Sequence, residues 1–305
     1  MPIRHIKKES IGYVSAIIAA ILFGSVSTIT KPVLEDQNAL SISSVLYIIA
    51  GLSLLPLLTL SSFNSDNIIT REYSSNKKCN RKYFLLLVTS ICGAVIAPSL
   101  FFFGLSNTSA SDSSILINGE VLFSILLAII FFSEKLIKRE IISIILVLAG
   151  IVILTTNMQT SNSFLELNIG NIMIVGSTLF WALDNNISKI ISKTIHIPKI
   201  IVLKSLIGGS LLFILTVIIF GIEEFKVDLI HIPYLLFAGS LGFGASLFFF
   251  LHSLKRIGTV KTILLFSTSS IFGMIFATIF LKENITIYQI IAVTVILSGC
   301  YLIKR

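Results

Sequence analysis

"GYVSAIIAAILFGSVSTITK" at 12–31 and "GNIMIVGSTLFWALDNNISK" at 170–189 are two runs that each open on glycine and close on lysine nineteen positions later. A helix of that length rises about 30 Å, the thickness of a bilayer's hydrocarbon core. The first run carries no charge before its closing lysine, whereas the second holds Asp184. Their length predicts membrane-crossing helices, and their likeness predicts that the chain contains the same unit twice.

The rest of the chain agrees with the first expectation. Of 305 residues, 55% are hydrophobic and only 12% charged, with a mean hydropathy of +0.97. Soluble domains carry about twice that share of charge. Apolar stretches of spanning length recur near 11–31, 39–61, 83–105, 109–133, 139–157, 168–189, 198–220, 232–254, 259–281 and 285–303. Inside a bilayer each segment must satisfy its own backbone hydrogen bonds, so the fold class is all-α integral membrane with ten transmembrane helices. "MPIRHIKKES" followed by an apolar run resembles a secretory leader, but no small-residue cleavage site closes the run, and it is read as the first helix. Cys79, Cys92 and Cys300 are too few and too scattered for a disulfide framework.

The basic residues fall on one side. With the N-terminus in the cytoplasm, nineteen of the 23 Lys and Arg residues flank inner helix ends, and only Lys31, Lys226 and Lys282 lie outside. This asymmetry predicts both termini in the cytoplasm of a multi-pass protein of the cell (plasma or inner) membrane. It also accounts for the net charge of +8 without a nucleic-acid partner. The one long loop, 64–83, is polar and basic, and is read as a solvated linker that could also touch lipid headgroups.

A shift of 149 residues lays "FSILLAIIFFSEK" at 123–135 over "FGMIFATIFLKEN" at 272–284 and pairs Glu134 with Glu283, Gly150 with Gly299 and Glu120 with Ser269. Only eleven of the fifty positions across 105–154 match, so the landmarks carry more than the identity. Five helices is an odd number, so a second unit enters the membrane upside down relative to the first. The expected organisation is a pair of inverted five-helix repeats, residues 1–157 and 158–305, with a site between them near the midplane, an architecture of secondary transporters.

"LFGSVSTITK" and "LFWALDNNISK" resemble the first- and sixth-helix motifs of EamA-type domains of the drug/metabolite transporter superfamily, and the two glutamate-bearing segments resemble the end of each EamA repeat. The resemblance covers nearly the whole chain. It implies a carrier that moves small metabolites by alternating access, with efflux or exchange ahead of uptake. Many members have proline where this chain has Glu120, so no substrate is carried over from them.

The site residues follow from charges that the membrane makes costly. Glu120, in "ILINGEVLFS" at 115–124, lies about 16 Å along its helix from Ser109, near the midplane. An ionised side chain facing lipid at that depth costs several kcal/mol, so Glu120 is expected to face the bundle interior with Ser113 and Ser124. Two readings fit: it binds a cationic part of the substrate or a proton in alternation, or it forms a structural ion pair. Asp184 and Lys204 lie at matching depths on neighbouring helices and are expected to pair, as a fixed bridge or as one that releases Lys204 to an anionic substrate group. Ser177, Thr178, Trp181, Asp184, Asn185 and Ser188 share one helical face. That stripe reads either as helix–helix hydrogen bonding or as a cavity wall, with Trp181 and Asn185 toward substrate. Thr28 in the first helix and Ser269 in "STSS" at 267–270 complete the candidate substrate-binding set. Gly24 is read as close packing, and Lys31 as a side chain reaching the interface.

No other chemistry announces itself. His5, His196, His231 and His252 have no metal-ligand spacing, no phosphate-binding loop is present, and "GSLGFG" at 239–244 lacks a strand–turn–helix context. The expectation is therefore no enzyme, no catalytic residue, no metal and no cofactor. The partners are a small-molecule substrate and membrane lipids, with the protein a monomer or homodimer. The function read is secondary active transport of a small polar metabolite, with proton coupling as one mode. A membrane-embedded enzyme or a non-transporting assembly subunit is the alternative. The cavity is expected between the first, fourth, sixth, seventh and ninth helices.

Overall fold

The computed structural model describes residues 2–58, 76–132, 138–155 and 168–302. Glu134 and most of the linker at 64–83 lie outside the described residues. The chain is an all-α bundle with no strand among the described residues. Its helices are α1 (Pro2–Thr30), the single turn α2 (Val33–Asp36), α3 (Ala39–Ser53), α4 (Asn76–Ile91), α5 (Ala97–Ser106), α6 (Ala110–Leu116), α7 (Gly119–Phe132), α8 (Lys138–Thr155), α9 (Ile169–Ile191), α10 (Ile197–Phe220), α11 (Ile232–Phe237), α12 (Ser246–Ile257), α13 (Thr259–Phe266), α14 (Ser269–Phe280) and α15 (Ile287–Leu302).

Among the described residues, six continuous helical segments are long and apolar enough to cross a membrane: Glu9–Asp36, Ala39–Leu58, Arg81–Ser106, Ile197–Phe220, Leu229–Ile257 and Lys261–Phe280. Ile141–Leu154 and Ile287–Leu302 are shorter apolar helices. α9 has 23 residues, about 34 Å at 1.5 Å per residue. Its polar stripe is what distinguishes it from the apolar six. α6 and α7 are two halves of one rod, broken at Ile117–Asn118. Lipid-facing surface is abundant: Ile145, Val152, Ile214, Ile218, Ile279 and Phe280 are all exposed.

One end of the bundle gathers Lys31, the turn at 107–109, Asn171 and Glu283. Helices entering from that end start on caps suited to the unpaired N–H groups of a first turn. Asn38 accepts from the Leu40 N–H, Ser109 from that of Asp112 and Asn168 from that of Asn171. α1 ends there whereas α9 begins there, so these two look-alike segments run antiparallel.

The irregularities of the helices repeat. A π-helical turn at Cys92–Ile96 leads into α5, and another at Ala238–Ala245 leads into α12. The break between α6 and α7 has its counterpart between α13 and α14, at Ser267–Thr268, close to the 149-residue offset. α8 and α15 also cross through paired glycines. A Cβ on Gly150 would overlap Ile296, and one on Gly299 would sit 3.0 Å from the Ser143 carbonyl. Ser143 Oγ donates to the Gly299 carbonyl at 2.5 Å across the same crossing. Small residues let two backbones meet closely enough for such contacts.

Candidate functional site

A cavity of about 50 Å³ lies inside the bundle, lined by Glu120, Asp184, Asn185 and Lys204 among aromatic side chains. Its construction starts at Pro98. The turn at Cys92–Ile96 is wound so that the Ala97 N–H reaches the Cys92 carbonyl, five residues back. In that register the next bond would join residue 98 to the Gly93 carbonyl, but proline has no N–H. The stranded acceptor is taken by side chains instead: Tyr47 Oη donates to Gly93 O at 2.6 Å, and Trp181 Nε1 at 3.3 Å. Two aromatic rings are thereby fixed against the cavity by their polar tips.

Gly93 also makes room for the charges. A methyl there would overlap the Asp184 carboxylate. Asp184 Oδ2 accepts from Lys204 Nζ at 2.5 Å, and its Oδ1 accepts from Ser188 Oγ at 3.0 Å. Both ions are almost wholly removed from solvent, Asp184 being 2% and Lys204 1% exposed. The expected pairing of these residues is present, and it leaves the two charges mutually neutralised.

Glu120 stands differently. It is 6% exposed and sits in the first turn of α7, immediately after the break. Asn185 Nδ2 donates to its Oε1 at 2.8 Å, and among the described residues it has no salt-bridge partner. Asn185 Oδ1 is buried with no donor among the described residues. An ionised Glu120 would give the cavity one net negative charge next to an unused neutral acceptor.

Glu120, Trp181, Asp184, Asn185 and Lys204 therefore meet around one space. Thr28 and Ser269 do not join them. Thr28 lines a separate crevice at the Lys31 end, beside Pro233, Phe237 and Phe276, and Ser269 is buried where α1 crosses α14. At that crossing a Cβ on Gly24 would lie 2.6 Å from the Ser269 carbonyl, so the space belongs to packing. Ser177 and Thr178 turn their hydroxyls back onto the carbonyls of Ile174 and Val175 in their own helix. Ser113 lies 3.3 Å from the Ser27 hydroxyl, and Ser124 Oγ is buried with no partner among the described residues; neither lines the cavity, and the break takes Ser113 off the helical wheel of Glu120, whereas Ser124 lies one turn further along α7.

The cavity is lined from more helices than the polar residues imply. Tyr47 of α3 and Phe243, Ser246 and Phe250 around the second π turn contribute, with Phe23 and Phe266 closing the wall. Aromatic residues are common in every membrane span, so no pattern in the sequence singles these out. Pro98 is the available signal for the first π turn.

Away from the cavity, the Lys31 end is tied by polar contacts. Rather than reaching the interface, Lys31 Nζ donates to the carbonyls of Leu105 and Thr108, both at 2.7 Å, and of Ser106 at 3.3 Å. A cation there satisfies the free carbonyls at the C-terminus of α5. Glu283 accepts from the N–H groups of Ala110 and Ser111 at 2.9 and 3.0 Å, which are free donors at the start of α6. Gln289 Nε2 donates to the buried Asp112 at 2.7 Å, and His231 Nε2 meets Asp36 at 2.9 Å. At the other end His252 is held between Ser15 Oγ at 3.2 Å and Arg256 Nε at 3.0 Å.

A solved crystal structure superposes on this chain with a TM-score of 0.67, covering 97% of it and 96% of its own length at 12% identity. That likeness shows the fold alone. In sequence, the chain is 35% identical over 295 residues to an uncharacterized transporter of Methanothermobacter thermautotrophicus, covering 96% of this chain and 85% of the relative. An uncharacterized transporter of Synechocystis sp. is 23% identical over 303 residues, covering 93% of this chain and 84% of the relative. The sequence profile of the EamA-like transporter family matches twice, over residues 10–156 and 168–305. A multi-pass helical membrane protein with a charged interior cavity, matched by this profile along nearly its whole length, belongs to the EamA-like transporter family.

Proposed function

We propose that the protein is a secondary active carrier that moves a small polar metabolite across the cell membrane by alternating access, exporting it or exchanging it for another solute or a proton. In this reading ten helices form two inverted repeats divided near residue 157, both termini are cytoplasmic, and the described form is closed at the Lys31 end. The observation that carries the proposal is Glu120: a buried acid beside a helix break that recurs in the second half, with no ion partner among the described residues and next to an acceptor that none of them uses. Interrupted helices at an intramembrane site are a recurrent device of secondary carriers. An acid held there is costly unless a substrate or proton meets it.

The test is a thermal-shift screen of the purified protein against amino acids, polyamines, nucleosides and phosphorylated metabolites, followed by flux measurements of the hits in proteoliposomes across a pH gradient. Glu120→Gln is expected to abolish coupling of the flux to pH while the protein stays folded. A normal rate with unchanged pH dependence in that variant would remove Glu120 from the mechanism.

A further inference from the structure

We infer that the ligand of this cavity is a protonated primary or secondary amine with one positive charge, an apolar body and no carboxylate. The inference rests on the carrier reading and names the substrate class of the same site.

The charge follows from what is already committed. Asp184 and Lys204 neutralise each other at 2.5 Å and are buried, so neither is available without separating a buried pair. Of the charged groups lining the cavity, Glu120 alone has no opposite charge in contact among the described residues. A monocation balances it. A zwitterion would bring a carboxylate that could find a cation only by taking Lys204 from Asp184.

The donors follow from the acceptors. Asn185 donates to Glu120 Oε1 at 2.8 Å, which turns its own Oδ1 away as a buried acceptor with no donor among the described residues. A buried acceptor left empty is expensive, and a ligand N–H removes that cost. Glu120 and Asn185 Oδ1 together call for an ammonium with at least two N–H bonds. A quaternary ammonium has none.

The body follows from the wall. Phe23 meets Trp181, Phe243 and Phe266 at centroid distances of 5.8, 5.9 and 5.3 Å, and Phe266 continues to Phe250 at 4.8 Å. Tyr47 and Trp181 have spent their polar atoms on Gly93, so they offer ring surface. Such a wall holds an apolar or aromatic group by burial and a nearby ammonium by cation–π attraction.

Phenethylamine, phenylalanine and N,N,N-trimethylphenethylammonium separate these three arguments. Binding is measured by isothermal titration on the detergent-purified protein, and flux in proteoliposomes. Phenethylamine is expected to bind at least about tenfold more tightly than either of the others, the difference that a lost charge-assisted hydrogen bond or a misplaced carboxylate makes. Glu120→Gln and, separately, Asn185→Ala are expected to weaken phenethylamine by a similar factor, with folding checked by thermal unfolding. If one variant fails to fold, the other decides. Equal binding of phenylalanine, equal binding of the trimethyl compound, no binding of phenethylamine, or full binding in the folded variants would each overturn the inference. Binding of phenethylamine without flux would spare it and count against the carrier reading. Flux of another metabolite without amine binding would do the reverse.

Discussion

Removing one member of the Asp184–Lys204 pair should destabilise the protein far more than removing both. At 2.5 Å the two charges attract by about 6–7 kcal/mol if the effective dielectric constant is about 20. Dehydrating each ion costs several kcal/mol, which offsets most of that attraction. The pair is therefore close to neutral for stability, but a lone survivor keeps the full dehydration cost. Side-chain exposures of 1% and 3% leave it no route to water. Asp184→Leu or Lys204→Met alone should cost about 3–5 kcal/mol, and the double variant no more than about 1 kcal/mol. For a chain this long, that places each single variant about 6–10 °C below wild type in melting temperature, with the double close to it. The sole tryptophan, Trp181, lines the same cavity and reports unfolding directly. A complete double-mutant cycle should give a coupling energy of at least about 5 kcal/mol. Single variants within about 2 °C of wild type, or a double variant showing the sum of the two losses, would refute the reasoning. Flux then assigns the role of the pair: retained transport in the double variant marks a structural bridge, and lost transport with intact folding marks a pair that meets the cargo.

Gly93→Ala should lower stability by about 1–3 kcal/mol and weaken ligand binding, because its methyl occupies the place of the Asp184 carboxylate; wild-type unfolding and binding would sink this. Gly299→Leu should cost a similar amount by driving α15 off the Ser143 carbonyl, whereas Gly176→Ala, whose added Cβ meets nothing nearer than 3.7 Å, should change stability by less than about 0.5 kcal/mol. Equal unfolding temperatures for the two variants would contradict it. Glu283→Gln should loosen the Lys31 end by weakening the charge-assisted bonds to Ala110 and Ser111. A cysteine introduced by Thr108→Cys should then react several-fold faster with a membrane-impermeant maleimide, and an unchanged labelling rate would show that the cap does not hold that end.

The large elements and the costly charges are legible in the sequence because the membrane enforces them. Hydropathy locates the helical segments, and depth counted along α9 and α10 sets Asp184 level with Lys204. Glu120 is legible for the same reason. What escapes are features whose partners lie far away along the chain. Lys31 looks like an interfacial lysine until the carbonyls of Leu105, Ser106 and Thr108 are placed beside it. Glu283 is notable in the sequence only as a repeat mate, and its caps on α6 depend on tertiary approach. Thr28 and Ser269 have the right chemistry, but helical spacing cannot say which neighbour a face meets. The break before Glu120 has a local sign in the Asn118–Gly119 dipeptide, a common turn former. Its counterpart at Ser267–Thr268 has no such sign, since serine and threonine are ordinary in membrane helices.

Those two breaks share a shape and differ in chemistry. The first is followed by an acid and the second by a hydroxyl, and neither contains proline, so the backbone form does not depend on the carboxylate. Under the proposed function, the breaks are moving parts held in duplicate and Glu120 is a cargo hook held in a single copy. Evolution or engineering can then exchange the hook, at Glu120 and the rings around it, while leaving the gearing untouched. Speed of turnover and choice of cargo become separately adjustable properties of one chain.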